Sequence, residues 1–339
     1  MYFKVSTFIV AEVGVNHNGC LKTAKKLIDT ASSCGADAVK FQSYVTEDLV
    51  AKFAEKANYQ KLNSNSKESQ FEMLKRYELS EEDHYRLFDY CNKKDIIFMS
   101  SPFDLKSLDM LINLGVDIIK IPSGEITNYP LLREIGKSNK QTILSTGMST
   151  IEEIKCAINL LTQNGTEIGD ISILHANTMY PTPFNDVNLN VLKSIKKKFN
   201  TRVGYSDHTQ GIEVSIAAVA LGAEIIEKHI TLDRKFKGPD HSSSLDPAGF
   251  CDLVKSIRHI ESAFGSSQKQ VSDSERENIR IARKSVFSKR KILKGEVFSE
   301  ANLTTKRPGG GISPMHWEKI IGKRATKFYN TDEMIEEDL

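Results

Sequence analysis

The chain has 339 residues with 46 basic and 44 acidic side chains, and its formal net charge of +2 gives no reason to expect binding to nucleic acid or to a charged membrane surface. Hydrophobic residues make up 40% of it, enough for a large core and more than one domain, and no apolar run approaches the roughly 20 residues of a membrane-spanning helix. Its 5 cysteines are scattered and the N-terminus lacks the cleavage site of a signal peptide, so we expect reduced thiols in a cytoplasmic protein.

Short apolar runs that are typical of strands alternate with amphipathic helical patterns through the first 265 residues. The strands are predicted at residues 7–14, 36–42, 95–103, 117–125, 141–148, 171–178, 201–208 and 223–233. A helical pattern follows each strand, after a polar insertion at 43–79 in the second case and with a capping-box pattern at Ser149 and Glu152 in the fifth. Eight such units match a (β/α)8 TIM barrel. An open doubly wound sheet is the alternative, although no G-x-G-x-x-G follows the first strand.

The character of the sequence changes after Gly265. Residues 266–283 are polar and indicate a linker arm, and residues 284–339 combine short β-like runs with Gly-rich turns. The predicted organisation is therefore a barrel at 1–265, an arm at 266–283 and a small second domain at 284–339.

Polar side chains stand at or near the carboxyl end of every predicted strand. They are Glu12, Lys40, Gln42, Ser100, Ser101, Lys120, Ser123, Glu125, Ser145, Asn177, Thr178, Ser206, His208, Glu227 and His229. A lone serine at a strand end is more often a helix cap than a ligand-binding group. In a barrel, however, all of these ends face one mouth, where active sites lie. The coincidence across all eight strands predicts an active site at that mouth.

Two histidines, His208 and His229, end neighbouring predicted strands. They could share one divalent metal ion whose other ligands are water and substrate oxygens, or they could be two hydrogen-bonded structural histidines. Glu12 and Glu227 would suit the same site as groups that hold water or transfer protons. Lys228 lies between Glu227 and His229 and should point outward, because neighbours on a strand face opposite ways.

Lys40 and Lys120 form a second set with Ser101, Ser123, Ser145 and Ser206. Two lysines and several hydroxyls in one mouth suit a phosphate or carboxylate ligand. The alternative for each lysine is a salt bridge at the rim.

The sequence resembles the sialic acid synthase family over essentially its whole length. The motifs that carry the resemblance are "AEVGVNHNG", "VKFQ", "SSPFD", "KIPSGE", "STGM", "NTMYPTPFNDVNL", "GYSDH", "EKHITLD", "GPDHSSS" and "TKRPGGGISP". These enzymes condense phosphoenolpyruvate with a 2-acetamido-mannose sugar, giving a nine-carbon 2-keto acid and phosphate by C–O cleavage. The resemblance implies a TIM barrel followed by an antifreeze-like (SAF) domain. It also implies a domain-swapped homodimer, in which each antifreeze-like domain covers the partner's barrel mouth.

The resemblance also implies roles for individual residues. His208 and His229 would hold a divalent metal, usually Mn2+, with Mg2+ or Co2+ as alternatives, and Arg307 would enter from the partner chain to address the sugar's N-acyl group. Phosphoenolpyruvate would be held by Lys40, Ser101, Lys120, Ser123, Ser145 and Ser206. Sugar or intermediate would be contacted by Glu125, Gln42, Thr178, Tyr180 and Asp240, and the catalytic carboxylates would be Glu12, Glu125 and Glu227.

The expected acceptor is N-acetylmannosamine or a related sugar, with 2,4-diacetamido-2,4,6-trideoxymannose, the legionaminate precursor, as the alternative. Glu125 in "KIPSGE" disfavours the pseudaminate branch. Family members often have Cys-Thr or Cys-Asn after the histidine of strand six and Glu before Tyr-Pro, whereas this chain has the run from His175 to Pro181, "HANTMYP". Two other classes stay open: a Schiff-base aldolase that uses Lys40 or Lys120, and a non-catalytic glycan-binding protein.

Overall fold

Eight parallel strands close into a barrel in the first of two units, which ends at Gly265. The computed structural model describes residues 6–57, 60–61 and 68–336. The barrel strands are Phe8–Gly14 (β1), Ala38–Ser43 (β2), Ile97–Pro102 (β3), Ile118–Ile121 (β4), Gln141–Ser145 (β5), Ile171–Ala176 (β6), Arg202–Asp207 (β7) and Ile225–His229 (β8). Because β8 pairs with β1, the predicted barrel is confirmed and the open sheet is excluded.

Helices follow every strand and surround the barrel. They are Leu21–Cys34 (α1), Thr46–Leu49 (α2), Gln70–Tyr77 (α3), Glu81–Lys93 (α4), Leu105–Leu114 (α5), Tyr129–Lys137 (α6), Ile151–Gln163 (α7), Val191–Phe199 (α8), Glu213–Ala220 (α9) and Pro247–Phe264 (α10). The polar insertion contains α2 and α3, and its residues 58–59 and 62–67 lie outside the described residues. The capping box of α7 is formed by Thr150 and Glu153, one residue later than predicted. Among the described residues, no helix is both long and apolar enough to cross a lipid bilayer.

Side-chain alternation divides the barrel interior into an apolar floor and a polar mouth. The floor is a cluster of buried apolar residues: Phe8, Val10, Ala38, Met99, Ile118, Ile143, Leu174 and Ile225. Because side chains on a strand alternate between its two faces, the next inward-facing residue lies two positions further toward the carboxyl end. Six of these strands have a polar residue at that position. Those positions hold Glu12, Lys40, Ser101, Lys120, Ser145 and Glu227. The strand register therefore delivers the predicted polar residues to one end of the barrel.

The second unit begins at Ser266 and has its own hydrophobic core. It contains a helix at Asp273–Ala282 (α11), an antiparallel pair of strands, Ser285–Ser288 (β9) and Leu303–Lys306 (β10), and a short helix at Trp317–Ile320 (α12). Its core consists of Val286, Ile292, Phe298, Leu303, Ile312, Ile320, Ala325, Tyr329 and Ile335. The segment interpreted as an arm thus includes the helix α11, which its polar composition did not reveal. Residues 337–339 lie outside the described part.

A disulfide joins Cys34, the last residue of α1, to Cys251 in α10. The two Cα atoms are 4.6 Å apart although the residues are separated by 217 positions in the sequence. The expectation that all the cysteines are reduced thiols is therefore wrong for this pair. The reason is topological: closure of β8 on β1 makes the first and last helices of the barrel neighbours, which scattered spacing in the sequence does not indicate.

Thiol counting tests this bridge. Alkylation of the unfolded but unreduced protein should label Cys20, Cys91 and Cys156 alone, and alkylation after reduction should label all 5 cysteines, as read by intact mass. Reduction should also lower the melting temperature, because a disulfide typically adds about 2–4 kcal/mol to the free energy of unfolding. A Cys20→Ser variant, which removes an exposed free thiol, should melt like the parent. Labelling of every cysteine without reductant would contradict the assignment.

Candidate active site

A cavity of about 260 Å³ opens at the carboxyl ends of the barrel strands. It is lined by Glu12, Lys40, Gln42, Ser101, Phe103, Lys120, Pro122, Ser123, Gly124, Ser145, Met148, Thr178, Tyr180, Ser206, His208, Glu227 and His229. The structure therefore brings together the predicted site residues that lie on barrel strands, except Ser100, whose hydroxyl bonds to that of Ser43 instead. Four more that line the cavity follow strands β4, β6 and β7.

Four buried charged side chains form a cluster at the base of this cavity. The Nζ atom of Lys40 lies 2.8 Å from Oε2 of Glu12 and 3.8 Å from Oε2 of Glu227. Lys120 donates a hydrogen bond of 3.0 Å to Oε1 of Glu227. All four side chains are almost fully withdrawn from solvent. Two positive and two negative charges offset one another here, which is what makes their burial tolerable.

The two glutamates of the cluster differ in proton affinity. Burial raises the pKa of Glu12 to about 7, against the attraction of Lys40 and with a further increase from the charge of Glu227. Burial would also raise the pKa of Glu227, but the charges of Lys120 and Lys40 outweigh it and lower that pKa to about 2. Burial lowers the pKa of Lys120 to about 8. Near neutral pH, Glu12 is therefore the carboxyl that can gain or release a proton, while Glu227 stays ionised.

Four serine hydroxyls line the same cavity as the lysines of the cluster. Lys40 donates to Oγ of Ser101 at 3.2 Å, and the hydroxyl of Ser206 donates to Glu227 at 2.9 Å. The Oγ atom of Ser123 accepts a hydrogen bond of 2.9 Å from the backbone N–H of Gly147. In the described part of the chain, the buried hydroxyl of Ser145 has no hydrogen-bond partner. A buried hydroxyl without a partner is costly unless a ligand or water satisfies it, so this half of the cavity suits a ligand rich in oxygen acceptors.

His208 presents one nitrogen lone pair in a defined direction. Its Nδ1 atom contacts the backbone carbonyl oxygen of Asn177, which can only accept, so Nδ1 carries the proton and Nε2 is the acceptor. The hydroxyl of Tyr180 donates to Nε2 at 2.9 Å, with the two ring centroids 4.1 Å apart. Burial lowers the pKa of His208 to about 4, so the ring is neutral near pH 7.

His229 lies beside His208, with the ring centroids 5.5 Å apart. Burial, followed by the proximity of His208, lowers the pKa of His229. Its buried Nδ1 atom has no hydrogen-bond partner among the described residues, and the nearby carboxylate of Asp240 is 4.0 Å away. Two neutral imidazoles, one with an unsatisfied buried nitrogen, fit a divalent transition-metal ion. No group of three or more metal-binding side chains occurs within residues 6–57, 60–61 and 68–336, so such an ion would need further ligands from water or substrate.

Comparison with known proteins identifies the class. The model of the NeuB family matches residues 27–269, and that of the SAF domain matches residues 283–338. The chain belongs to the NeuB family. It is 52% identical to the N,N'-diacetyllegionaminic acid synthase of Campylobacter jejuni over 98% of this chain and 99% of that protein. It is 45% identical to the enzyme of the same name from Legionella pneumophila over 94% of this chain and 90% of that protein.

A solved structure supports the same assignment for the NeuB-family barrel. The crystal structure of N-acetylneuraminic acid synthetase from Leptospira borgpetersenii in complex with citrate superposes with a TM-score of 0.72 at 35% identity, covering 81% of this chain and 90% of that one. The predicted resemblance and the predicted barrel with a SAF domain are confirmed. The chain is an enzyme of the sialic, legionaminic and pseudaminic acid synthase class.

Besides Ser100 and Asn177, three residues that the resemblance gives a role lie outside the cavity lining of this NeuB-family member. Glu125 is half-buried in a turn after β4, where it accepts a 2.6 Å hydrogen bond from Asn128. Asp240 is buried near His229, and burial raises the pKa of its carboxyl to about 7. Arg307 belongs to the second unit, directly after β10. The roles assigned to these residues stay predictions.

Lys228 points outward from the barrel interior, as predicted, but it is buried there. Its side chain is 0% exposed and lies 2.9 Å from Oδ2 of Asp207, which is equally buried. The space outside β8 is covered by the helical layer, so an outward-facing lysine there needs a buried partner. An aspartate directly before His208 in "GYSDH" was the sequence signal for that partner.

Two glycines that shape the cavity were missed in the sequence. Gly14 has a φ of +53°, and a Cβ atom there would lie 3.1 Å from Oε1 of Glu12 and 3.4 Å from Cε1 of His229. At Gly147, a Cβ atom would lie 2.6 Å from Cγ2 of Thr178. A glycine at the end of a barrel strand, as in "EVG" and "STG", is the signal that would have found both.

The hydrogen bond from Tyr180 to His208 yields a prediction. That hydroxyl occupies the Nε2 lone pair which a metal ion would need, so metal binding must break the bond. The Tyr180→Phe variant lacks the hydroxyl that competes with the metal for Nε2. Its affinity for the metal should therefore be about 2- to 10-fold higher, since a hydrogen bond is worth about 0.5–1.5 kcal/mol. Calorimetric titration of metal-free protein with Mn2+ measures it, and Tyr129→Phe, which changes an exposed tyrosine, is the control. Unchanged or weaker binding by Tyr180→Phe would contradict the competition.

Proposed function

We propose that this NeuB-family enzyme condenses phosphoenolpyruvate with 2,4-diacetamido-2,4,6-trideoxymannose to give N,N'-diacetyllegionaminic acid and phosphate. The observation that carries the choice of sugar is the 52% and 45% identity with two legionaminic acid synthases, against 35% with the N-acetylneuraminic acid synthetase. N-acetylmannosamine is the second candidate acceptor. The proposal includes a cytoplasmic location, where phosphoenolpyruvate is made.

The lysines and hydroxyls of the cavity would hold the phosphate and carboxylate of phosphoenolpyruvate. In the free cavity, the charges of Lys40 and Lys120 are balanced by Glu12 and Glu227. A proton on Glu12 leaves one positive charge without a counter-charge, which favours an incoming anion. The pKa of about 7 at Glu12 makes that proton available at little cost near neutral pH.

The same carboxyl suits the proton transfer that the reaction needs. Attack of C3 of phosphoenolpyruvate on the sugar's aldehyde carbon leaves a cation at C2, water adds to C2, and the tetrahedral carbon then loses phosphate by C–O cleavage. The attack also leaves the aldehyde oxygen as an alkoxide, to which protonated Glu12 can give its proton. The resulting carboxylate can then accept the proton that the adding water gives up. Glu227 stays ionised and would stabilise the cation electrostatically.

His208 and His229 would hold a divalent metal ion, Mn2+ first, with Mg2+ or Co2+ as alternatives. When bound, such an ion supplies Lewis-acid polarisation of the aldehyde oxygen. The two imidazoles suit this role because both rings are neutral near pH 7, so that each has one nitrogen without a proton.

A second copy of the chain would complete the site, with Arg307 of its SAF domain reaching the N-acyl group of the sugar. Support on the barrel comes from apolar side chains that are exposed in the loops after β5 and β6: Met148, Met179 and Phe184, with 73%, 54% and 65% of their surface accessible. Exposed apolar side chains close to one opening are typical of a surface that a partner covers.

Direct assay decides the acceptor. With phosphoenolpyruvate and Mn2+, the 2,4-diacetamido sugar should give the diacetylated nine-carbon acid and one equivalent of phosphate, with kcat/KM at least about 10-fold above that for N-acetylmannosamine, as followed by mass spectrometry. Exhaustive chelation should abolish turnover and added Mn2+ restore it. His259→Ala, which changes a histidine that does not line the cavity, is the control. A preference for N-acetylmannosamine would overturn the choice of sugar, and borohydride trapping of substrate on a lysine would favour the aldolase.

Mixed dimers test the shared site. Arg307→Ala and His208→Ala should each be inactive as homodimers. Co-expressed with different tags, the heterodimer has one mouth with an intact barrel and an intact Arg307, and it should recover up to about half of wild-type activity. A purified heterodimer as inactive as its parents would show that Arg307 does not act across the dimer.

A further inference from the structure

Directly behind the two histidines, on the outer face of the barrel, Asp207 and Lys228 form a fully buried ion pair. Their charged groups lie 2.9 Å apart, and both side chains are 0% exposed. Lys228 also donates to the backbone carbonyl of Thr209 at 2.6 Å. Oδ1 of Asp207 accepts from the backbone N–H and the hydroxyl of Thr209, and Oδ2 accepts from the hydroxyl of Ser215 in α9. The cavity and the chemistry proposed above use neither charge.

Each member of the pair is the chain neighbour of a histidine. Asp207 precedes His208, Lys228 precedes His229, and the two are register partners across β7 and β8. Because successive side chains on a strand point to opposite faces, a contact between Asp207 and Lys228 outside the barrel constrains the two histidines inside it.

The constraint matters most for His208, which lies one residue beyond the end of β7. The last register pair between β7 and β8 joins Asp207 to Lys228, so strand pairing does not continue to His208. The hydrogen bonds from Lys228 to Thr209 and from Thr209 to Asp207 clamp the backbone on both sides of His208 to β8. The hydrogen bond to Ser215 ties the same turn to the helical layer.

A contribution to the stability of the fold does not by itself explain the buried pair of Asp207 and Lys228. A buried ion pair loses the hydration of two charges, and well-packed apolar residues of similar size often stabilise a fold equally well. What an apolar pair does not supply is a directed set of hydrogen bonds that fixes one backbone turn relative to a neighbouring strand.

We propose that Asp207 and Lys228 are positioning residues which set the spacing of His208 and His229 so that both imidazoles bind one metal ion. This inference rests on the proposed metal-binding role of the two histidines. It assigns to the pair no contact with substrate. It predicts a selective effect on the metal half of the site, because Lys40 and Lys120 lie on β2 and β4 rather than on β7 and β8.

The test is Lys228→Met in the full-length, metal-free protein, a change that keeps side-chain length and removes the charge. Affinity for Mn2+, measured by calorimetry, should fall at least about 10-fold, while affinity for phosphoenolpyruvate without metal should change less than about 2-fold. Asp207→Asn keeps the shape and an acceptor for Thr209, and it should weaken Mn2+ binding in the same selective way. Should Lys228→Met not fold, Asp207→Asn decides by the same criteria.

The matched control is Arg258→Met. Arg258 pairs with Asp37 at 3.0 Å and donates to the backbone carbonyl of Thr7, at the amino ends of β1 and β2, so its loss removes an ion pair far from the histidines. It should lower the melting temperature without changing Mn2+ affinity.

The possible results distinguish the positioning role of Asp207 and Lys228 from the existence of the metal site. If His208→Ala loses Mn2+ binding but the folded positioning variant binds as the wild type does, the inference is overturned and the metal site stands. Equal losses of Mn2+ and phosphoenolpyruvate affinity would also overturn it, because they indicate general destabilisation. If His208→Ala binds Mn2+ as tightly as the wild type, the metal site itself is wrong and the inference falls with it.

Discussion

Charge balance at the base of the barrel mouth is the constraint on which the site depends. The cluster consists of one residue from each of four strands: Glu12 of β1, Lys40 of β2, Lys120 of β4 and Glu227 of β8. All four side chains are buried, so each has lost most of its contact with water. Removing one partner of such a set leaves an uncompensated buried charge, which typically costs about 3–5 kcal/mol. The cluster is therefore tied to barrel closure: it exists because strands distant in sequence are brought together, and a barrel that did not close would leave these charges unmatched.

The same cluster divides its chemistry unequally between two carboxylates. Glu227 receives both lysines and the hydroxyl of Ser206, so its charge is stabilised whatever the ligand. Glu12 has Lys40 close by but is as deeply buried, and its pKa is accordingly raised to about 7. One carboxylate is thus a permanent counter-charge and the other a proton carrier. Two glutamates facing each other across a shared lysine become chemically different through the number of their partners.

The barrel fold and most of the residues at its mouth could be predicted from the sequence, because both follow from local sequence patterns. Lys40 and Lys120 stand near the carboxyl ends of apolar strands, and barrel geometry puts every strand end at one face. Prediction failed where the decisive contact is long-range or covered by another layer. Nothing local to Cys34 indicates Cys251, and nothing local to Lys228 indicates that the helical layer buries it against Asp207. Gly14 was missed for a related reason: its role is the space that it leaves for Glu12 and His229.

Strands and loops carry different parts of the proposed activity. The charged cluster and His229 lie on strands of the closed barrel. His208 lies one residue past β7, and Lys228 bonds to the backbone of the residue after it. Thr178, Tyr180 and Met148 lie in loops, which vary more readily without disturbing the barrel. Under the proposed function, we expect the bond-making chemistry to depend on the first set, because the bond made and the bond broken are the same for every acceptor sugar. Under the proposed function, we expect discrimination between a 4-acetamido-6-deoxy sugar and N-acetylmannosamine to come from these loops. The departure of "HANTMYP" from the common pattern begins at Ala176, the last residue of β6, and continues into the loop that carries Thr178 and Tyr180.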